Sequence, residues 1–303
     1  MSSAKVSTSG LVIKNRVVPV SGVEIVDFLD VPGLALAPED GQKRRTRWVR
    51  MQILHTTKGI PHHRNRTPQR VRPGAGPRDG RDRALASYWQ RDPRSSAAHG
   101  VIDVDGSVAQ LADLVLDKTF HAGNRGVNEF SIGWEMFQEG DGSLWESTLD
   151  AQVALVIAVG RAFGIQFQIH HPYTGATVPR LVDGGADCVG VFGHRDVTSN
   201  RGHSDPGDMI FDRLMDAGFE AFDFSAGEDR EVWKERQEQL GLVTDGIPGP
   251  QTVARLREAG YRGSIWVLGK QCNDDDGKPE DGPMETRVCE FPCPLRSLAQ
   301  LLV

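Results

Sequence analysis

No stretch of this 303-residue chain approaches the roughly 20 consecutive apolar residues that a membrane-crossing helix needs, so no membrane span is expected. The start, Met1 to Ser7, lacks both a continuous apolar core and a cleavage site, so no secretory signal peptide is expected either. Cysteine is scarce. Four residues are too few for a dense disulfide framework. Cys188 stands alone in an apolar stretch and reads as a buried thiol. Cys272, Cys289 and Cys293 cluster near the end, where one disulfide is open and the spacing matches no common zinc finger. Positive charge is not in excess: 35 Lys and Arg face 41 Asp and Glu, for a net charge of -6. That balance argues against a general nucleic-acid binder. The basic residues instead concentrate locally, over 43–83.

What remains is ordinary for a soluble globular protein, 39% hydrophobic and 25% charged. The length suits one large domain or two smaller ones. Residues 1–40 carry short β-like runs, Leu11-Val12-Ile13 and Val17-Val18-Pro19-Val20, which read as an N-terminal extension or edge strands. Trp48 to Thr57 reads as a buried strand with Val49, Met51, Ile53 and His55 on one face. Residues 58–95 are rich in Arg, Pro and Gly, a composition that argues against regular structure. This segment, which includes His62 and His63, reads as a solvated loop or as a rim for an anionic polymer. Asp105-Gly106 between two alternating runs is a hairpin signal. Ser131 to Met136 is strand-like. Residues 149–164 have a largely apolar helical face ended by Gly164. Val189 to Gly193 is a short buried strand, and 208–218 look helical. Strands and helices mix without strict βαβ alternation. The expected fold is therefore α/β in the broad α+β sense, a mixed central sheet flanked by helices.

Within this framework Gly193-His194 and Ser204-Asp205-Pro206-Gly207 join a nitrogen ligand to an oxygen ligand across one short loop. His55 supplies a second imidazole from far upstream. Two imidazoles and a carboxylate, with a fourth position left to water, form the ligand set of a catalytic zinc site.

Six pieces fall in one order: Ile53 to Thr57, Ala98 to Gly106, His121-Ala122-Gly123-Asn124, Asn128 with Ser131 to Glu135, Gly193-His194, and Asp205-Pro206-Gly207. In that order the chain resembles the zinc N-acetylmuramoyl-L-alanine amidases, the type 2 amidases related to peptidoglycan recognition proteins and phage amidases. The resemblance covers roughly residues 48–218. It implies cleavage of the amide between N-acetylmuramic acid and the L-alanine of the stem peptide, with Zn2+ held by His55, His194 and Asp205. It implies that Glu135 takes a proton from the attacking water. His203, two residues before Asp205, falls where related enzymes often carry Lys and would stabilise the oxyanion. Histidine there makes activity more dependent on pH. His121 and Asn124 would line the groove for the muramyl-peptide junction. Ala98 falls where some phage members place a catalytic Tyr, which gives Glu135 more weight.

Arg230 to Leu242 and Thr252 to Ala259 read as helices, with Pro250 suited to the start of the second; the runs Gln237 to Leu242 and Asp245 to Thr252 resemble the helical peptidoglycan-binding unit found beside cell-wall hydrolases. The expected organisation is an N-terminal extension over 1–40, a zinc amidase catalytic domain over 41–222, a peptidoglycan-binding-like helical domain over 228–262 and an irregular tail over 263–303. The expected protein is a monomeric endolysin, made in the cytoplasm and released to a bacterial cell wall. A peptidoglycan recognition protein without catalysis and a secreted amidase toxin are the alternatives.

Overall fold

The computed structural model describes residues 6–7, 10–14, 16–31, 34–35, 49–57, 70–91, 96–171, 177–185, 188–199, 205–222, 234–235, 237–244, 255, 265–267 and 270–272. The chain begins with β1 (Val6–Ser7), β2 (Leu11–Ile13), β3 (Arg16–Val18), β4 (Ile25–Asp27), β5 (Met51–Thr56) and β6 (Val71–Arg72). There follow α1 (Arg81–Arg91), β7 (Gly100–Ile102), β8 (Val108–Gln110), α2 (Arg125–Phe130), β9 (Ser131–Met136), β10 (Leu144–Trp145) and α3 (Glu146–Phe163). Then come β11 (Gln168–His170), α4 (Pro179–Val182), β12 (Gly190–Gly193), α5 (His194–Val197), α6 (Met209–Asp216) and β13 (Glu220–Phe222). Two short strands, β14 (Ile265–Val267) and β15 (Lys270–Cys272), pair antiparallel where irregular chain was expected. The apolar, β-branched run Ile265-Trp266-Val267 favours extended backbone there.

Nine strands form one mixed sheet in the order β1-β4-β8-β7-β9-β5-β12-β11-β13. From β7 through β9, β5, β12, β11 and β13 every neighbour runs parallel. The β7–β8 pair is the antiparallel hairpin expected around Asp105-Gly106. Asp105 Oδ1 accepts from the Ser107 N–H and hydroxyl, closing that turn. β5 lies in the middle and is buried at all six positions, because helices cover both faces of a parallel sheet.

On one face Leu54, Ile132, Trp134 and Val191 pack with Leu149, Leu155, Val156 and Val159 of α3 and with Ile210, Phe211 and Leu214 of α6. Two of the buried polar side chains there, Trp134 and Gln52, are paired. Trp134 Nε1–H donates to Gln52 Oε1 at 3.1 Å, and Gln52 Nε2–H donates to the Val156 carbonyl at 2.9 Å. The opposite face carries two smaller clusters. Met51, Ile53 and Phe192 pack with Ala122, Val127, Leu181 and Val197. Val101 and Ala109 pack with Val26, Phe28 and Ala86.

The N-terminal runs supply edge strands. β4 pairs parallel with β8 and β1 closes the sheet edge, so the sheet does not respect a boundary at residue 40. α3 begins at Glu146, a few residues earlier than expected, and ends at Gly164, whose φ of 65° is the left-handed conformation of a helix stop. The 58–95 segment is a correction. It contains β6 and the 11-residue α1. Ala86 is buried, and Leu85 and Trp89 pack against the Phe28–Val101 cluster. The surrounding Arg, Pro and Gly hide this apolar stripe in a segment average. Asp82 in the first turn and Arg91 in the last complement the helix dipole.

Cys188 is a buried thiol packed beside Met51 and Phe192. His62, His63, Cys289, Cys293, the Cys272 side chain and most of residues 228–262 lie outside the described residues. No described helix is long and apolar enough to cross a membrane.

Candidate metal centre

β5 and β12 are adjacent and parallel, with Gly193 opposite Leu54. The next residue of each strand path, His55 and His194, therefore emerges at the same end of the sheet, the carboxyl end where open α/β sheets bind ligands. A third segment crosses that end. The Arg195 N–H donates to the Asp205 carbonyl at 2.8 Å, and the Thr56 N–H donates to Asp205 Oδ1 at 3.0 Å. The absence of a side chain at Gly193 permits the crossing, since a Cβ there would stand 3.0 Å from Pro206 Cδ. The Gly193 N–H is held by Asp196 Oδ2 at 2.7 Å, which fixes the first turn of α5 and with it His194. Burial pushes the Asp196 carboxyl above its ordinary pKa, against the pull of Arg195 and His170.

His55, His194 and Asp205 converge. Nδ1 of His55 lies 2.9 Å from Nδ1 of His194, which lies 3.2 Å from Asp205 Oδ2, and His55 Nδ1 is 4.0 Å from Asp205 Oδ1. The three are 2%, 2% and 3% exposed. Ligand atoms at the vertices of a tetrahedral zinc site stand about 3.4 Å apart, given zinc–ligand lengths near 2.1 Å. The observed separations bracket that value. A buried carboxylate beside two imidazoles is also short of positive charge, which a divalent cation supplies. The donor set, two nitrogens and a carboxylate oxygen, fits zinc.

Glu135 is the Cα partner of His55 in the β9–β5 ladder. Its half-buried side chain projects from the same face of the sheet as His55. His121 lies behind His55. Its Nδ1 is 3.0 Å from His55 Nε2, and its Nε2 is 3.1 Å from Ser131 Oγ. Asn124 is the N-cap of α2: its Oδ1 accepts from the Gly126 and Val127 N–H groups. Its Nδ2 donates to the Leu181 and Val182 carbonyls, tying α2 to α4. The structure thus brings His55, His194, Asp205, His121 and Glu135 to one end of the sheet, and it commits the amide of Asn124 to protein partners. His203 lies outside the described residues.

Two residues of this neighbourhood carried no role in the sequence reading. Ser131 is fully buried and bonded to His121. Gly133 lets the His121 ring lie against β9, because a Cβ would sit 2.5 Å from its Cγ and 2.6 Å from its Nδ1. Both stand inside the run Ser131 to Glu135, yet a single sequence gives no sign that a histidine ten residues upstream folds back on them. Gly133→Ala is expected to lower zinc affinity and the unfolding midpoint together. Overpacking of this kind costs about 1–3 kcal/mol. Zinc titration and thermal unfolding of the same sample measure both, and an unchanged affinity counts against the contact.

Residues 44–208 match the family described as N-acetylmuramoyl-L-alanine amidase (Amidase_2). Among solved structures, the chain is similar to the endolysin N-acetylmuramoyl-L-alanine amidase LysCS from Clostridium intestinale URNW. The identity is 15%, over 63% of this chain and 95% of that one, with a TM-score of 0.36. The hydrolase AmiA of Staphylococcus aureus, in complex with its ligand, is 15% identical over 64% of this chain and 75% of its own, with a TM-score of 0.35. The drosophila peptidoglycan recognition protein SD is 15% identical over 65% and 96%, with a TM-score of 0.38. No curated protein matches the chain in sequence.

Proposed function

Because the chain belongs to the N-acetylmuramoyl-L-alanine amidase family, we propose that it hydrolyses the amide joining N-acetylmuramic acid to the L-alanine of the peptidoglycan stem peptide, as an endolysin. The observation that carries this reading is the convergence of His55, His194 and Asp205, whose ligand atoms all lie within 4.8 Å of one another. These three residues would hold zinc. Bound there, the ion supplies a Lewis acid and brings the pKa of water down to about 7.

The protein's own groups supply the rest. Glu135, level with His55 on the neighbouring strand, takes the proton of the attacking water and returns it to the departing amine. His203 assists by donating a hydrogen bond to the oxygen that gains charge at the former carbonyl. His121 acts through His55, and Asn124 shapes the groove wall by holding α2 against α4. Residues 41–222, joined in one sheet with the strands of 6–27, form the catalytic unit, and residues 228–262 add affinity for the wall. The protein works as a monomer, without a nucleic-acid partner, at a bacterial cell wall that it reaches after lysis.

A non-catalytic recognition role is the second reading, and the complete ligand triad counts against it. Secretion as a toxin shares the chemistry and differs in delivery; an immunity protein encoded next door would mark it. The test is mass spectrometry of peptidoglycan digested by the purified protein, with metal analysis of the same sample. Stem peptides with a free L-alanine amine and uncut glycan strands are expected, with activity abolished by a chelator and restored by zinc. Glycan cleavage sinks the amidase reading. Binding without turnover by zinc-loaded protein selects the recognition reading.

A further inference from the structure

Behind the candidate metal centre runs a chain of hydrogen bonds from the Val127 carbonyl through Ser131 and His121 to His55. It starts at a group that only accepts. The Val127 carbonyl lies 2.6 Å from Ser131 Oγ and takes the single hydroxyl proton of that side chain. Ser131 Oγ must then accept from its next partner, His121 Nε2, at 3.1 Å. His121 therefore carries its proton on Nε2. In the neutral ring this leaves Nδ1 as an acceptor. Its partner at 3.0 Å is His55 Nε2, which must carry a proton in turn. His55 is left with a bare lone pair on Nδ1, the atom that faces His194 Nδ1 and Asp205.

We propose that Ser131 and His121 are positioning residues that lock His55 into the Nε2–H tautomer and so present its Nδ1 lone pair to the metal. The proposal rests on the amidase reading for its purpose and on hydrogen-bond direction for its content. The alternative tautomer of His55 would put an N–H into the metal position and two lone pairs against each other at the His121 contact. In water a histidine exchanges tautomers freely, so an unlocked ring presents the wrong nitrogen part of the time.

The scaffold around the lock is itself fixed. His121 lies flat against the backbone at Gly133, where a Cβ would come within 3.0 Å of three ring atoms. The Gly133 N–H donates to Nδ1 of His99, and Thr119 Oγ1 lies 2.9 Å from the same nitrogen. His99 Nε2–H donates to the Asp117 carbonyl at 3.2 Å. Its centroid lies 5.8 Å from that of His121 in an edge arrangement. His194 differs. Its Nε2 is buried and has no hydrogen-bond partner among the described residues. Of the two imidazole ligands, His55 is the one oriented in advance.

The experiment uses the full chain, metal-free and zinc-loaded. Nitrogen-15 NMR of the histidine rings, recorded above their titration range without metal, is expected to find His55 and His121 both protonated on Nε2. His121→Ala is expected to weaken zinc binding about 10–100-fold in a competition titration. His121→Asn places an amide oxygen where Nδ1 stood and is expected to recover most of that loss. Ser131→Ala is expected to weaken binding in the same direction with a smaller loss of stability than His121→Ala, and it serves where that variant fails to fold. The cobalt-substituted protein gives a second readout, since a changed ligand nitrogen alters its visible spectrum. A proton on His55 Nδ1 in the metal-free wild type overturns the proposal. So does an Asn variant no better than the Ala variant, or zinc binding unchanged in both His121→Ala and Ser131→Ala. A wild type that binds no zinc sinks the amidase reading, and the tautomers then still decide the lock.

Discussion

Alanine at His194 is expected to cut stem-peptide release from peptidoglycan about 10³-fold or more and to remove stoichiometric zinc from the purified protein. The loss corresponds to about 4 kcal/mol of transition-state stabilisation. Only His55 and Asp205 would remain, one short of the three protein ligands that hold a catalytic zinc. The backbone should persist, because α5 is held by the Asp196 bond to Gly193 and by the Arg195 bond to Asp205, neither of which uses the imidazole. Far-ultraviolet dichroism of the variant is therefore expected to match the wild type. Turnover within ten-fold of wild type would remove His194 from the centre.

Glu135→Gln separates acid–base chemistry from metal binding. Glutamine keeps the size of the side chain and loses the ability to take a proton. The turnover number is expected to fall about 10²–10⁴-fold, the usual contribution of a positioned general base. Zinc affinity and peptidoglycan binding are expected to stay near wild type, since the ligand atoms belong to β5, α5 and the turn at Asp205. The rise of activity with pH on the acid side of the profile should disappear with the carboxylate. A variant of normal turnover would leave Glu135 as a half-buried strand residue beside His55, and the base would have to be sought elsewhere.

The two predictions differ in how far the sequence alone supports them. His55, His194 and Asp205 are legible because metal ligands come from a short list of residue types and two of them flank one loop. The mixed sheet was legible from β5, β9 and β12, whose apolar runs are bounded by clear turn residues. α1 was missed because eleven helical residues sit inside a segment whose Arg, Pro and Gly content dominates any average. Asn124 illustrates another limit. A polar residue in a loop reads as a ligand-facing group, whereas its carbonyl caps α2 and its amide holds α4. The role of Ser131 depends on which atom donates to which, and that direction exists only once the Val127 carbonyl has been placed.

The central place of β5 has a consequence for how the chain acquires its structure. β5 ends at Thr56, yet its two ladder partners are β9, beginning at Ser131, and β12, beginning at Gly190. A strand made early must therefore wait until Met136 for one side to be covered and until Gly193 for the other. Such long-range pairing slows folding, because loop-closure entropy is lost before contacts repay it. Asp205 arrives later still and bonds back to Thr56 across 149 residues. No partly synthesised chain that stops short of residue 205 can bring His55, His194 and Asp205 together, so the cluster forms only after the last of the three has been made.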